Sequence, residues 1–135
     1  MEMMMMVLLV SAAAQLVSPA PRKQNLNLNH IINLVAEIRK NITQEFFVED
    51  VTALADNGCK NDFLCKVESI LQSHGKEETL VRNLGTYIQS LNVNCTKELE
   101  KVPKSEVSKP VTNLLQQLDR CSKWLNFNAQ SSSSN

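Results

Sequence analysis

Aromatic side chains are scarce in this chain of 135 residues, with four Phe, one Tyr and one Trp. Its core must therefore be aliphatic, which calls for Leu, Ile, Val and Ala at helical spacing. Glycine and proline are also few, at 3 and 4, and this excludes a collagen-like chain or a linker. Neither sign of charge prevails, with 14 Lys plus Arg against 14 Asp plus Glu. No basic stripe occurs, so nucleic acid is not expected as a partner. Residues suited to catalysis are equally sparse. His30 and His74 fall at the start of one predicted helix and the end of another, away from any nucleophile or carboxylate constellation. Glu49-Asp50 and Glu77-Glu78 are adjacent pairs whose side chains diverge, so neither forms a pair of facing acids. No glycine-rich phosphate loop, Gly-x-Ser-x-Gly elbow or metal-binding helix motif occurs. The expectation is a small single domain that is not an enzyme and needs neither cofactor nor metal.

What is present begins with an apolar leader. Met3 to Val10, followed by Ser11, Ala12, Ala13 and Ala14, is too short to cross a bilayer but suits a secretory signal peptide. The usual positive charge is missing before Arg22, and Glu2 stands in its place. Cleavage after Ala14 fits the small-residue rule, whereas Pro21 disfavours cleavage after Ala20. The expected organisation is a signal peptide over 1–20 with cleavage between 14 and 23, a helical domain over 21–130, and a disordered polar tail over 131–135. Loss of the leader removes Glu2 and no cation, so the charge stays balanced. No later run reaches transmembrane length, which predicts a secreted, extracellular product with no direct membrane insertion. Two glycosylation sequons agree with that route, Asn41-Ile42-Thr43 and Asn94-Cys95-Thr96.

Four amphipathic stripes follow. Apolar residues at 28, 31, 32, 35, 38 and 42 predict a first helix over 27–43. Residues 45–51 break that period with a β-prone run, residues 52–55 suit a helical turn, and Asn57-Gly58 signals a chain reversal. A second helix, capped by Asn61 or Asp62, carries its stripe at 63, 64, 67, 70, 71 and 74 and stops at Gly75. The third opens on Glu77 and Glu78 and carries 80, 81, 84, 87, 88 and 91, with Gly85 inside it. Residues 92–104 read as a long polar connection with Val93 and Val102 as strand candidates. The fourth helix is capped by Ser108, with Pro110 in its first turn and a stripe at 107, 111, 114, 115, 118, 121 and 125. Long, short and long connections predict an all-α four-helix bundle running up-up-down-down, because a long crossover sets the next helix parallel to the last.

Four cysteines in a small secreted chain favour two disulfides over a zinc site, since no Cys-x-x-Cys or His pair gives ligand spacing. Cys59 and Cys65 lie at the start of the second helix, Cys95 past the end of the third and Cys121 late in the fourth. In up-up-down-down all of them fall near one end. In up-down-up-down Cys121 lies at the far end, beyond the roughly 6 Å between Cα atoms that a disulfide spans. A Cys59–Cys65 bond closes only a local loop, whereas Cys65–Cys95 with Cys59–Cys121 ties the second helix to both later ones and is the set expected. A free Cys121 on the buried stripe is the alternative.

Several stretches resemble a known family. Asn41-Ile42-Thr43-Gln44 is similar to the glycosylated end of helix A in interleukin-13, and Phe63-Leu64-Cys65-Lys66-Val67-Glu68-Ser69-Ile70-Leu71 to the run opening helix B in interleukin-4 and interleukin-13. Leu91-Asn92-Val93-Asn94-Cys95 is similar to the end of helix C in interleukin-4, and residues 113–118 to its helix D. Over residues 27–126 the chain thus resembles the interleukin-4/interleukin-13 family of short-chain helical cytokines, with features of both as in an undivided form from a non-mammalian vertebrate.

The resemblance implies the Cys65–Cys95 bridge. Cys59 has no family counterpart, and Cys121 lies earlier than the terminal cysteine of interleukin-4. It also implies a high-affinity receptor chain bound through the first and third helices and a second chain bound through the fourth. The family's acidic helix A anchor falls by position on His30, with Glu37 about two turns further on. Arg82 stands where the family has a basic cluster, and Lys123 lies on the fourth helix. The implied partners are single-pass chains, an interleukin-4 receptor alpha-like one plus common gamma or an interleukin-13 receptor alpha-like one, around a monomeric ligand. The implied role is a secreted cytokine with kinase-coupled signalling in type 2 immune and B-cell responses. Interleukin-3, interleukin-5 and colony-stimulating types share the architecture. A secreted helical lipid-binding protein has the same composition, with its aliphatic interior as a cavity.

Overall fold

The computed structural model describes residues 19–133, with side chains for residues 27–128. The expected leader and its cleavage point after Ala14 lie outside the described residues, except that Pro19 and Ala20 open the first helix. That helix, α1 (Pro19–Asn41), begins ahead of residue 27, where the apolar period starts. Pro19 and Pro21 sit in its first turn, where amides have no intrahelical acceptor to lose. Then come β1 (Phe47–Glu49), α2 (Thr52–Asp56), α3 (Asn61–His74), α4 (Glu78–Ser90), α5 (Cys95–Glu100), β2 (Ser108–Pro110) and α6 (Val111–Ser133). The described chain is therefore mostly helical, an all-α fold with one small sheet.

The four predicted stripes are the core. Leu28, Ile31 and Val35 of α1 are buried, as are Phe63, Leu64, Val67 and Leu71 of α3, Leu80, Leu84 and Ile88 of α4, and Val111, Leu114, Leu115 and Leu118 of α6. Two stripe members are exposed. His74 is exposed, its ring 5.0 Å from that of Phe46, and Val107 is exposed because the chain is extended there.

Other expectations are corrected at the element ends. Ser108 does not cap the last helix; it pairs in β2, and Pro110 follows it there because the Val111 amide donates to the Phe46 carbonyl at 2.8 Å. Neither Asn61 nor Asp62 is the N-cap of α3, since Lys60 holds that position; the Asp62 carboxylate instead accepts from the Phe63 amide at 2.8 Å. Residues 95–100 are helical where a polar connection was expected, and Val93 and Val102 are in no strand. There the Asn94 Oδ1 accepts from the Lys97 amide at 3.3 Å, which caps a run of good helix formers. The last helix, α6, is assigned through Ser133, as neither Gly nor Pro follows Leu125 to stop it. Gly75 ends α3 with φ 66°, as its missing Cβ allows.

Helix directions follow from named contacts. Asn126 donates to Asn29 at 3.0 Å and Arg39 lies 3.6 Å from Asp119, so α1 and α6 run antiparallel. The turn Gly75-Lys76-Glu77 reverses the chain between α3 and α4. Leu34, Ile38 and Ile42 near the end of α1 meet Leu80 at the start of α4.

The two long connections hold each other. β1 pairs antiparallel with β2 in the register Phe47↔Pro110, Val48↔Lys109 and Glu49↔Ser108, and the Asp50 amide adds a bond to the Val107 carbonyl at 2.9 Å. Val48 is buried beneath this ribbon. Glu49 clamps it down: its carboxylate lies 3.0 Å from the Lys66 ammonium on α3 and accepts from the Ser105 amide at 2.8 Å. At the start of α2, Asp50 accepts from both the amide and the hydroxyl of Thr52, and the hydroxyl bond above all holds its carboxyl below the usual range.

Disulfides join Cys59 to Cys121 and Cys65 to Cys95, with Cα atoms 5.5 and 5.4 Å apart. The pairings are those expected from the sequence, and no described cysteine is free. Such bonds persist in oxidising compartments, as a secretory route requires. They span 62 and 30 residues, so the loop-closure relation gives losses of about 4.3 and about 3.7 kcal/mol on removal. The paired Cys59→Ser/Cys121→Ser variant is expected to unfold at lower urea than Cys65→Ser/Cys95→Ser, and the reverse order would contradict the entropic account.

A close approach explains Gly85. A Cβ built there would meet the Glu68 Oε2 of α3 at 3.0 Å, so glycine lets the carboxylate lie against α4. Burial raises the pKa of Glu68. A carboxyl with a raised folded-state pKa favours folding when protonated, and that contribution fades as pH climbs from the unfolded value through the folded one. Glu68→Gln should therefore raise the melting temperature at pH 7, with the gain vanishing near pH 3. A gain independent of pH would rule out the carboxylate as its source.

Candidate functional site

Two helices shape one of the described depressions. The last turns of α1 and the first of α4 form an open groove of about 400 Å³, floored by Leu34, Ile38, Ile42 and Leu80. Its rim is acidic, with Glu37 from α1 and Glu77 and Glu78 from α4. The local sequence explains the shape. Ile38 and Ile42 continue the core stripe of α1 just where α4 begins, and Glu77 adopts φ 57° to turn the chain into α4. An apolar floor with an acidic rim suits a protein surface that carries a cation beside an apolar side chain.

The four receptor-contact candidates are distributed over three helices. His30 and Glu37 are exposed on α1, seven positions apart, and so fall on one side of it. Glu37 lies in the groove and His30 does not line it. Arg82 is exposed on α4 and lines a neighbouring depression with Gln72, Lys76 and Val81, beside the α3–α4 turn. Lys123 is exposed on α6 and is tied to Asp119 at 3.1 Å, the same carboxylate that faces Arg39 of α1. The structure thus gathers Glu37 with Glu77 and Glu78, sets Arg82 in an adjoining hollow that Glu78 also lines, and leaves Lys123 apart on α6.

Three exposed residues were missed from sequence. Trp124 and Phe127 stand one turn apart on α6 beside Lys123, 51% and 69% exposed, and Phe47 stands 61% exposed on β1. The signal was available for two of them, because 124 and 127 fall off the stripe at 114, 115, 118, 121 and 125. The acidic rim was legible only in part, as Glu77 and Glu78 look like ordinary first-turn charges until α1 is laid beside them.

Both sequon asparagines are exposed. Asn41, the last residue of α1, donates from Nδ2 to the Glu37 carbonyl at 3.0 Å and lies on the groove. Asn94 uses Oδ1 to cap α5. Among the described residues no cluster of His, Cys, Asp and Glu is arranged to hold a metal, and no helix is long and apolar enough to cross a membrane.

Exposed ion pairs contribute little, about 0.2–1 kcal/mol, so Lys123→Ala should leave the urea midpoint almost unchanged. A large loss would assign Lys123 a structural role and remove it from the contact candidates. No family model, curated protein or solved structure matches the chain.

Proposed function

We propose that the chain is a secreted short-chain helical cytokine of the interleukin-4/interleukin-13 kind, which joins two single-pass receptor chains and so brings their cytoplasmic kinases together. One observation carries the reading: the way the four long helices are connected. α1 is antiparallel to α6, the brief turn sets α3 against α4, and the start of α4 meets the end of α1. We read this order as up-up-down-down, with the two long connections paired as β1 and β2, one disulfide linking α3 to the start of α5 and the other linking the turn before α3 to α6. Crossovers of that kind belong to cytokine bundles. The filled aliphatic core favours this reading over a lipid carrier, since Phe63, Leu71, Leu80, Leu84, Leu115 and Leu118 are fully buried.

The mechanism requires binding alone. The α1–α4 groove, with Glu37 at its rim, meets the first receptor chain, and charge complementarity there steers encounter and fixes register. Lys123, Trp124 and Phe127 on α6 meet the second, where exposed aromatics provide anchors of the kind that dominate interface energy. The downstream outcome is kinase-coupled signalling in type 2 immune and B-cell responses. The refolded protein is expected to bind immobilised ectodomains of the interleukin-4 receptor alpha-like type, with Glu37→Arg weakening that step about tenfold or more. Lys123→Glu should spare the first step and weaken recruitment of the common gamma or interleukin-13 receptor alpha-like chain. Absence of binding to every ectodomain of the family would overturn the proposal, and binding to interleukin-3, interleukin-5 or colony-stimulating receptors would reassign it.

A further inference from the structure

We infer that an N-linked glycan on Asn41 overhangs the α1–α4 groove and regulates access to it, while a glycan on Asn94 leaves the groove open. The regulatory meaning rests on the receptor reading above, but the shielding itself does not. Four structural features combine. Asn41 opens the sequon Asn41-Ile42-Thr43 and is exposed. The helix ends at Asn41, so Ile42 and Thr43 lie in the connection that follows. Asn41 itself lines the groove, on the same side as Glu37, and Glu77 and Glu78 face it from α4. Asn94 lies at the start of α5, past the far end of α4, and lines none of the groove.

The modification is a group transfer from a lipid-pyrophosphate-linked oligosaccharide of the secretory pathway. The Asn41 Nδ2 forms a bond to the sugar C1 as the C1–oxygen bond to pyrophosphate breaks. Nδ2 gives up one proton to a base of the transferase, and the lipid pyrophosphate leaves. The product amide keeps one N–H, enough to retain the 3.0 Å bond to the Glu37 carbonyl. That bond ties the first sugar to the last turn of α1, beside the rim. Several sugars anchored there are bulkier than the groove itself, of about 400 Å³. The apolar floor at Ile38 and Ile42 is then covered, and the rim carboxylates lose contact with solvent on one side.

The test uses the full chain secreted from mammalian cells, as wild type, Asn41→Gln, Thr43→Ala and Asn94→Gln. Thr43→Ala abolishes the sequon while keeping the Asn41 side chain and its bond to Glu37. Intact mass and glycopeptide mapping give occupancy, expected at Asn41. Carbodiimide coupling of a small amine then reports carboxylate access by peptide mass. Glu37, Glu77 and Glu78 are expected to label about threefold faster or more in Asn41→Gln and Thr43→Ala than in wild type, with Glu100 and Glu106 unchanged as internal controls. Asn94→Gln should label like wild type. An unoccupied Asn41, or equal labelling of the rim with and without the Asn41 glycan, overturns the inference. Receptor binding is measured on the same proteins. If the variants lacking the Asn41 glycan bind no family ectodomain, the cytokine reading fails while the labelling result stands. If all bind equally although the rim is shielded, the glycan does not regulate access and that part is overturned.

Discussion

On the proposed up-up-down-down reading, a chain that leaves the end of α1 and enters α3 in the same direction has to travel back along the helices, and it must do so again between α4 and α6. Two connections of that length carry many backbone amides and carbonyls with no helix to satisfy them. The pairing of β1 with β2 answers both demands together, because each crossover becomes the hydrogen-bonding partner of the other. Val48 then points under the ribbon into the core, and the Glu49 carboxylate faces Lys66 on α3 and the Ser105 amide. Lys66 and Glu49 are each only 15% exposed, so losing either leaves a half-buried charge unpaired. The order of the helices is consequently fixed by a few residues that belong to no long helix.

The disulfides act on the same geometry from the other side. Cys59 follows Gly58 in a left-handed turn, φ 53° after φ 103°, so the chain reverses tightly between α2 and α3. That reversal delivers Cys59 to Cys121 on α6. Cys65 sits on the buried side of α3 and reaches Cys95, where α5 begins. Residues 95–100 thus become an anchored helix where a slack connection would otherwise run. Packing and crosslinks agree at each of these points, and such agreement across levels is what lets one sequence specify one fold.

Much of this was legible from residue spacing. The stripes at 28, 31 and 35, at 63, 64, 67 and 71, at 80, 84 and 88 and at 111, 114, 115 and 118 are all buried, because a helix that hides one face leaves a 3.6-residue period in its sequence. The cysteine pairings were legible because topology leaves few partners within reach. The element ends were not. Ser108 looks like a helix cap until the partner strand at 47–49 claims it, and Val107 continues a helical period into a segment that the sheet holds extended. Both errors have one cause: pairing between positions some sixty residues apart leaves no local period.

The candidate site divides along the same line. Single residues such as Glu37, Arg82 and Lys123 can be picked from one sequence as charges off the apolar stripe, but whether they act together depends on which helices meet. Glu37 gains its significance only when α4 brings Glu77 and Glu78 beside it over an apolar floor. Arg82, on the same helix, lines an adjoining hollow with Lys76 and Gln72, and Glu78 borders both that hollow and the acidic groove. A partner that uses α1 and α4 together would therefore meet an acidic rim first and a cation next to it. On the proposed reading that order of charge distinguishes this ligand from relatives with a basic third helix, and it places selectivity in Glu37, Glu77 and Glu78 more than in Arg82.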